Sequence, residues 1–122
     1  MTLQLHINPD QYLFTGHGEG YVSINGKRYH QPLVVTAAEV RTDWTATDFA
    51  SLDAAHFEYF LEFKPDVVLF GTGAKQQFAR PELFRALIQA RIAIEFMDTP
   101  AACRTYNILV AEDRKVVAAV LL

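Results

Sequence analysis

Apolar side chains recur every three to four residues between Phe49 and Phe63, and fall at strand spacing or in solid blocks elsewhere. Phe49, Leu52, Phe60 and Phe63 share one stripe with His56, and Phe57 and Leu61 widen it. This spacing predicts helical structure opening at Thr47-Asp48. Ser51 and Asp53 can divide it into a short turn and a longer helix. Pro65 ends it, because the residue before a proline avoids helical angles. The first forty or so residues read as β structure. Tyr12-Leu13-Phe14-Thr15 alternates in part, and Tyr21-Val22-Ser23-Ile24 and Lys27-Arg28-Tyr29-His30 flank Asn25-Gly26. Asn-Gly between two such runs predicts a hairpin, since both turn positions require positive φ. Leu33-Val34-Val35 after Pro32 predicts another strand, and Glu39 to Trp44 is a candidate for one more.

The second half alternates. A strand over Asp66–Phe70 ends in the turn Gly71-Thr72-Gly73, and a helix starts with Pro81 at its first position and carries Leu83, Phe84, Leu87 and Ile88. A strand over Ile92–Phe96 follows. Thr99 is a good N-cap with Pro100 at N1, opening a helix to about Val110. Glu112-Asp113-Arg114 then turns the chain into a strand over Val116–Leu121. Strand, helix, strand, helix, strand with short connections predicts right-handed crossovers and largely parallel pairing. The expected architecture is one α/β domain over residues 1–122, its β-rich amino-terminal half packed on the alternating half.

Composition sets bounds on partners and compartment. With 122 residues, 51% hydrophobic and 20% charged, the chain falls in the ordinary globular class. A net charge of −3 weighs against nucleic acid, whose phosphates need a basic face. Lys27-Arg28 sits at the hairpin tip, where a solvated turn explains it. The apolar run Val116 to Leu122 suits a core strand and falls far short of the roughly 20 residues of a membrane span. Met1 to Leu5 shows no charged region followed by an apolar one, so no secretory signal is expected. Cys103 is the single cysteine, which excludes an internal disulfide and fits a reducing compartment, so cytoplasm is expected. His6, His17, His30 and His56 lack metal-ligand spacing, and neither a metal nor a cofactor is expected.

The candidate chemistry lies at strand ends. Gly71-Thr72-Gly73 can cradle an anion, because small residues let backbone N–H groups approach oxygens; it can equally be a structural turn. Two named motifs fail there. A dinucleotide fingerprint needs glycine where Gln76 stands and a helix at once, and a P-loop needs Gly-Lys-Ser/Thr where Lys75 lies between Ala74 and Gln76. The segment Asp98 to Asn107 is the densest polar stretch, with Cys103 and Asn107 four apart and Arg104 and Asn107 three apart. If the two strands neighbour in parallel, Gly71, Thr72, Asp98 and Thr99 gather at one sheet edge. Arg104 is then the fork suited to a carboxylate or phosphate, or else it pairs with Asp98 or loop carbonyls and fastens the helix. Cys103 has no base tied to it by motif and reads as a small buried hydrophobe. Gly16-His17-Gly18-Glu19-Gly20 reads as bulges or a bent hairpin. His56 reads as core or partner-facing, and Trp44 as core or a cleft wall. No catalytic residue is assigned.

Taken together, Gly71-Thr72-Gly73, Glu95-Phe96-Met97-Asp98-Thr99 with Ala102, Arg104-Thr105-Tyr106-Asn107 and Val116-Val117-Ala118-Ala119 resemble a small conserved family of unknown biochemical function. It is widespread in bacteria and archaea. Its eukaryotic members include a mitochondrial respiratory complex I assembly factor and an adipogenesis-associated domain protein. The resemblance covers nearly the whole chain. It implies a mixed, mainly parallel central sheet flanked by helices with an additional amino-terminal β-hairpin layer, and no established reaction, metal or cofactor. For the mitochondrial members it implies a role in building a large complex through protein contacts. The family's recurrent polar positions map onto Gly71, Thr72, Gly73, Asp98, Thr99, Arg104, Thr105 and Asn107.

Two functions from different classes follow. One is a non-catalytic protein-binding or complex-assembly module, marked by an exposed apolar patch with Arg or aromatic anchors such as Tyr106 or Phe78. The other is a site for a small anion or nucleotide-type ligand, with or without catalysis. Its mark is an open pocket at Gly71 into which Arg104 and Asn107 point unpaired. A homo-oligomer built through the β-rich half is a third reading. The partner and the oligomeric state stay open.

Overall fold

The computed structural model describes residues 10–122. Asn25 and Gly26 take φ of 48° and 85°, so the chain reverses where the Asn-Gly pair predicts it. The strands β1 (Phe14–Gly18), β2 (Tyr21–Ile24) and β3 (Lys27–Tyr29) form an antiparallel sheet in that order. The register shifts between Phe14 and Gly16, which is the bulge expected of the alternating glycines.

A second sheet holds β4 (Leu33–Val35), β5 (Val40–Arg41), β6 (Val67–Thr72), β7 (Ala93–Met97) and β8 (Val116–Leu121), in the order β5-β4-β8-β6-β7. The pairs β6–β7 and β6–β8 are parallel, as the helix–strand alternation predicts. The pair β4–β8 is antiparallel, and so is β4–β5, which gives the mixed sheet that the resemblance implies. Every residue of β6 and β8 is buried, so these strands read as solid apolar blocks rather than alternating ones. Their period of two still divides the interior. Val67, Leu69, Ala118 and Val120 face one core with Val22, Ile24 and Tyr106. Val68, Phe70, Ala119 and Leu121 face another with Trp44, Phe57, Phe60 and Leu87.

Among the described residues three α-helices cover the large sheet: α1 (Ala54–Glu58), α2 (Arg85–Gln89) and α3 (Thr99–Ala111). The stretch divides at Ser51 and Asp53 into a 3-10 turn at Phe49–Ser51 and a helix, but the longer helix expected up to Pro65 is instead a five-residue α1 followed by a second 3-10 turn at Tyr59–Phe63. Packing explains the correction. A 3-10 turn eclipses residues three apart, which suits the aromatic run here. Phe57 stacks on Phe70 with ring centres 5.3 Å apart, and Phe60 meets the same ring edge-on at 6.4 Å. Asp53 starts α1 by accepting from the N–H groups of Ala55 and His56, and His56 Nδ1 accepts from the Asp53 N–H at 3.0 Å. His56 thus closes a capping box, while Trp44 Nε1 donates to its carbonyl at 3.0 Å.

Several boundaries also move. β6 runs on through Thr72, so Gly71 and Thr72 are strand residues paired with Val120 and Leu121, and the bend begins at Gly73 with φ of 96°. Asp98, not Thr99, caps α3, accepting from the Ala101 N–H at 2.8 Å.

Candidate functional site

Thr99 is buried where three parallel strands finish. With Asp98 doing the capping, the Thr99 hydroxyl is free for longer-range bonds. Its Oγ1 donates to the Leu121 carbonyl at 2.6 Å and accepts from the Gly73 N–H at 2.9 Å. The Thr99 N–H donates back to the Gly73 carbonyl at 2.8 Å. One residue therefore ties the end of β6, the end of β8 and the start of α3. Gly71 makes room for it: a Cβ there would stand 2.8 Å from Thr99 Oγ1 and 3.0 Å from Thr99 Cα. Thr72 closes the loop that follows. Its Oγ1 accepts from the Gln77 N–H at 3.1 Å and reaches the carbonyls of Lys75 (2.6 Å) and Met97 (3.1 Å).

Gly71, Thr72, Gly73, Asp98 and Thr99 thus meet at one corner, as parallel pairing of β6 and β7 requires. Their polar side chains are engaged with their own chain. The other candidates lie elsewhere. Asn107 is eight residues along α3 from Thr99, about 12 Å at the helical rise. It accepts from the Phe14 N–H at 2.9 Å and donates to the Phe14 carbonyl at 2.7 Å, which holds β1 against the helix. Thr105 is half-buried on the same helix. Arg104 is exposed and pairs with neither Asp98 nor a loop carbonyl among the described residues, so the expectation that it fastens the helix is corrected. The stripe of Ala102, Cys103, Tyr106 and Val110 faces the core, and that phase turns Arg104 to water. Trp44 is buried in the core on the other face of the sheet.

Beside the corner lies a cleft of about 380 Å³, between Gly73-Ala74, Thr99-Pro100, Leu122 and the tip of the β1–β2 turn. That turn contributes His17, Glu19 and Tyr21, which spacing alone does not single out. The alternating glycines announce a bend, but nothing local says that the bend overhangs the carboxyl ends of β6 and β8. A ligand here would meet apolar walls with His17 and Glu19 at the rim. A second hollow of about 320 Å³ lies by the same corner and includes Asp48, Phe49 and Lys75. Among the described residues no group of His, Cys, Asp and Glu side chains could hold a metal ion.

The reactive groups nearby are quiet. Burial pushes the Cys103 thiol up to about 12, against the opposing pull of Arg104, so it stays protonated near neutrality. The Tyr106 hydroxyl donates to the Tyr12 carbonyl at 2.8 Å, and its ring is fully buried, so it is no surface anchor. Phe78 is 70% exposed, its ring 6.3 Å from Phe96. On the far side, Arg41 forms a two-point pair with Asp43 (3.2 and 3.1 Å) and approaches Glu39 and Glu62. Its guanidinium holds the Asp43 carboxyl down at about 2, helped by the Tyr59 hydroxyl.

A mixed five-stranded sheet with a three-stranded antiparallel layer and a threonine-tied corner at its parallel strand ends defines an Mth938-like α/β fold. Residues 14–121 match the family described as "Protein of unknown function (DUF498/DUF598)", and the chain belongs to it. It is 32% identical over 117 residues to the "13 kDa major membrane protein" of Francisella tularensis subsp. holarctica (strain LVS), covering 95% of each chain. It is 31% identical over 112 residues to "NADH dehydrogenase [ubiquinone] 1 alpha subcomplex assembly factor 3" of Bos taurus, covering 90% of this chain and 60% of that one. A solution structure from Bordetella pertussis, described as an Mth938-like domain, superposes with a TM-score of 0.85 at 29% identity, over 99% of this chain and 92% of that one. Among the described residues no helix is long and apolar enough to cross a membrane.

Proposed function

We propose that this domain is a protein-binding module that helps assemble a larger complex and carries no chemistry of its own. The observation that carries this reading is a contrast in how side chains are used. At the strand-end corner Asp98, Thr99 and Thr72 bond their own backbone, whereas Phe78 stands open to solvent. Exposed aromatic anchors serve recognition, and a catalytic corner would hold its polar groups toward the cleft. The likeness to the Bos taurus protein named as an assembly factor supports the same reading.

The test is native co-purification followed by reconstitution. A partner that re-forms a one-to-one complex from purified components, at micromolar Kd or tighter, supports the module. Failure of every co-purifying protein to rebind removes it.

The cleft of about 380 Å³ favours a second reading, a small-ligand site at the carboxyl ends of β6 and β8. Such a ligand would be held by Gly73-Ala74, Pro100 and the His17–Glu19 turn, without Arg104. A thermal-shift screen of nucleotides and metabolite anions separates the two. A true ligand at a hundredfold excess over its Kd stabilises by about 2.7 kcal/mol.

A further inference from the structure

The structure points to where the partner docks and what it must look like, an inference resting on the protein-binding reading above: we propose that the face formed by residues 75–91 receives an acidic protein surface with apolar side chains at its centre. Three observations converge on this segment. Two of the four large apolar side chains most open to solvent among the described residues are here, Phe78 at 70% and Ile88 at 53%. Within this segment Lys75, Arg80, Arg85 and Arg91 outnumber its one acidic residue, Glu82, a net charge of +3 in a chain of net charge −3, and of the four Lys75 borders the hollow that includes Asp48. None of these four cations forms an ion pair among the described residues, whereas Arg41 is ringed by Glu39, Asp43 and Glu62.

The third observation is that Phe78 is presented rather than loose. Gln76 Nε2 donates to the Phe96 carbonyl at 3.0 Å on one side of it, and the Gln77 N–H donates to Thr72 Oγ1 at 3.1 Å. Behind it, Phe78 and Phe84 both lean on the Phe96 ring, at 6.3 and 5.4 Å. A 3-10 turn over Pro81–Phe84 then runs directly into α2, where Arg85 and Ile88 stand one turn apart and exposed, with Leu87 buried. A fixed aromatic loses little freedom on binding, and arginines around apolar anchors are what protein hot spots use. Carboxylates on the partner would meet the guanidinium forks in pairs. The predominance of arginine over lysine favours such paired recognition over the diffuse attraction of a lipid surface.

The test uses the reconstituted partner from the preceding experiment and, as a defined probe, a helical peptide with leucines on one face and glutamates flanking them. Each is titrated into isotopically labelled protein and followed by NMR. Amide shifts confined to residues 75–91 are expected, with affinity falling as salt rises. R80E/R85E/R91E and, separately, F78S should each weaken binding at least tenfold. All four positions are exposed, and unchanged amide signals elsewhere report an intact fold. A partner that binds one-to-one but ignores the charge reversal overturns this surface and leaves the assembly reading standing. Absence of saturable binding by either probe overturns it as well. Phe78-dependent sedimentation with phosphatidylglycerol vesicles, without peptide binding, would make the face a membrane contact and overturn the proposal.

Discussion

Asn107 gives both halves of its amide to one residue: its Oδ1 takes the Phe14 N–H and its Nδ2 reaches the Phe14 carbonyl, across 93 positions of sequence. The side chain behaves as a one-residue β partner. It satisfies the backbone of β1 on the side that faces α3, where β1 has no further strand among the described residues. The Phe14 ring meets Tyr106 edge-on at 5.2 Å beside this clamp.

Removing the clamp leaves a part-buried N–H and C=O of Phe14 without partners. Asn107→Ala should therefore destabilise by about 1–3 kcal/mol. Asn107→Asp should cost more, because a carboxylate oxygen would face the Phe14 carbonyl. Urea unfolding gives the totals. Hydrogen exchange should show the β1 amides losing protection before those of β6 and β8; uniform loss across both sheets would contradict the local role.

The Gly71–Thr99 contact predicts a graded series. Gly71→Ala sets a methyl 2.8 Å from Thr99 Oγ1 and 3.0 Å from backbone, so α3 must shift, at about 1–3 kcal/mol. Thr99→Val keeps the shape but loses both the donor to Leu121 and the acceptor for Gly73, again about 1–3 kcal/mol. Thr99→Ser keeps both and should be the mildest of the three. Gly18→Ala is the contrast: the atoms it would meet belong to the far end of the Tyr21 ring, which can swing away. A Gly18→Ala loss as large as that of Gly71→Ala would refute this account of the corner.

Cys103 predicts alkaline sensitivity. Its thiol is raised from 9.0 to about 12 in the folded chain, so the native state holds the proton more tightly than the unfolded one. No penalty applies below the unfolded value. Above it the unfolded chain ionises first and stability falls as pH climbs toward about 12. Cys103→Ala should flatten that decline in thermal melts between pH 8 and 10. Alkylation of the native thiol at pH 8 should be far slower than in urea.

Asp43 carries the opposite sign. Its carboxyl is lowered from 3.8 to about 2, so the contact with Arg41 is fully present above the ordinary value and is lost as pH falls toward about 2. Asp43 is exposed and Arg41 only half-buried, so the pair's share of stability is small, and the direct readout is an NMR titration of the carboxyl carbon. Arg41→Gln should return that midpoint toward the ordinary carboxylate range. A midpoint already ordinary in the wild-type chain would show that the pair does not persist in solution.

Much of this architecture is written in short stretches of chain. Asn25-Gly26 announces its hairpin because only positive φ closes a two-residue turn, and Pro65, Pro81 and Pro100 punctuate helices through the φ that proline imposes. The blocks Val67–Phe70 and Val116–Leu121 announce buried strands by composition alone, and alternation with helices made their parallel pairing legible. Because β6 and β7 are parallel neighbours, the meeting of Gly71 with Thr99 was legible too.

What required the folded chain was everything set by distance between remote residues. Asp98 and Thr99 are both fit to cap α3. Thr99 yields that role because burial between β6 and β8 gives its hydroxyl two other partners. Arg104 shares a helix with Asn107, yet the helical phase that buries Cys103 and Tyr106 turns it to water and leaves Asn107 for Phe14. The five-residue α1 depends on aromatic rings finding Phe70, and the overhang of His17 and Glu19 on where the small sheet lands. Turn dihedrals and apolar periods are properties of neighbours along the chain, so residues report them directly. Hydrogen-bond partners and clefts depend on which surfaces the whole core brings together, and no local spacing encodes that.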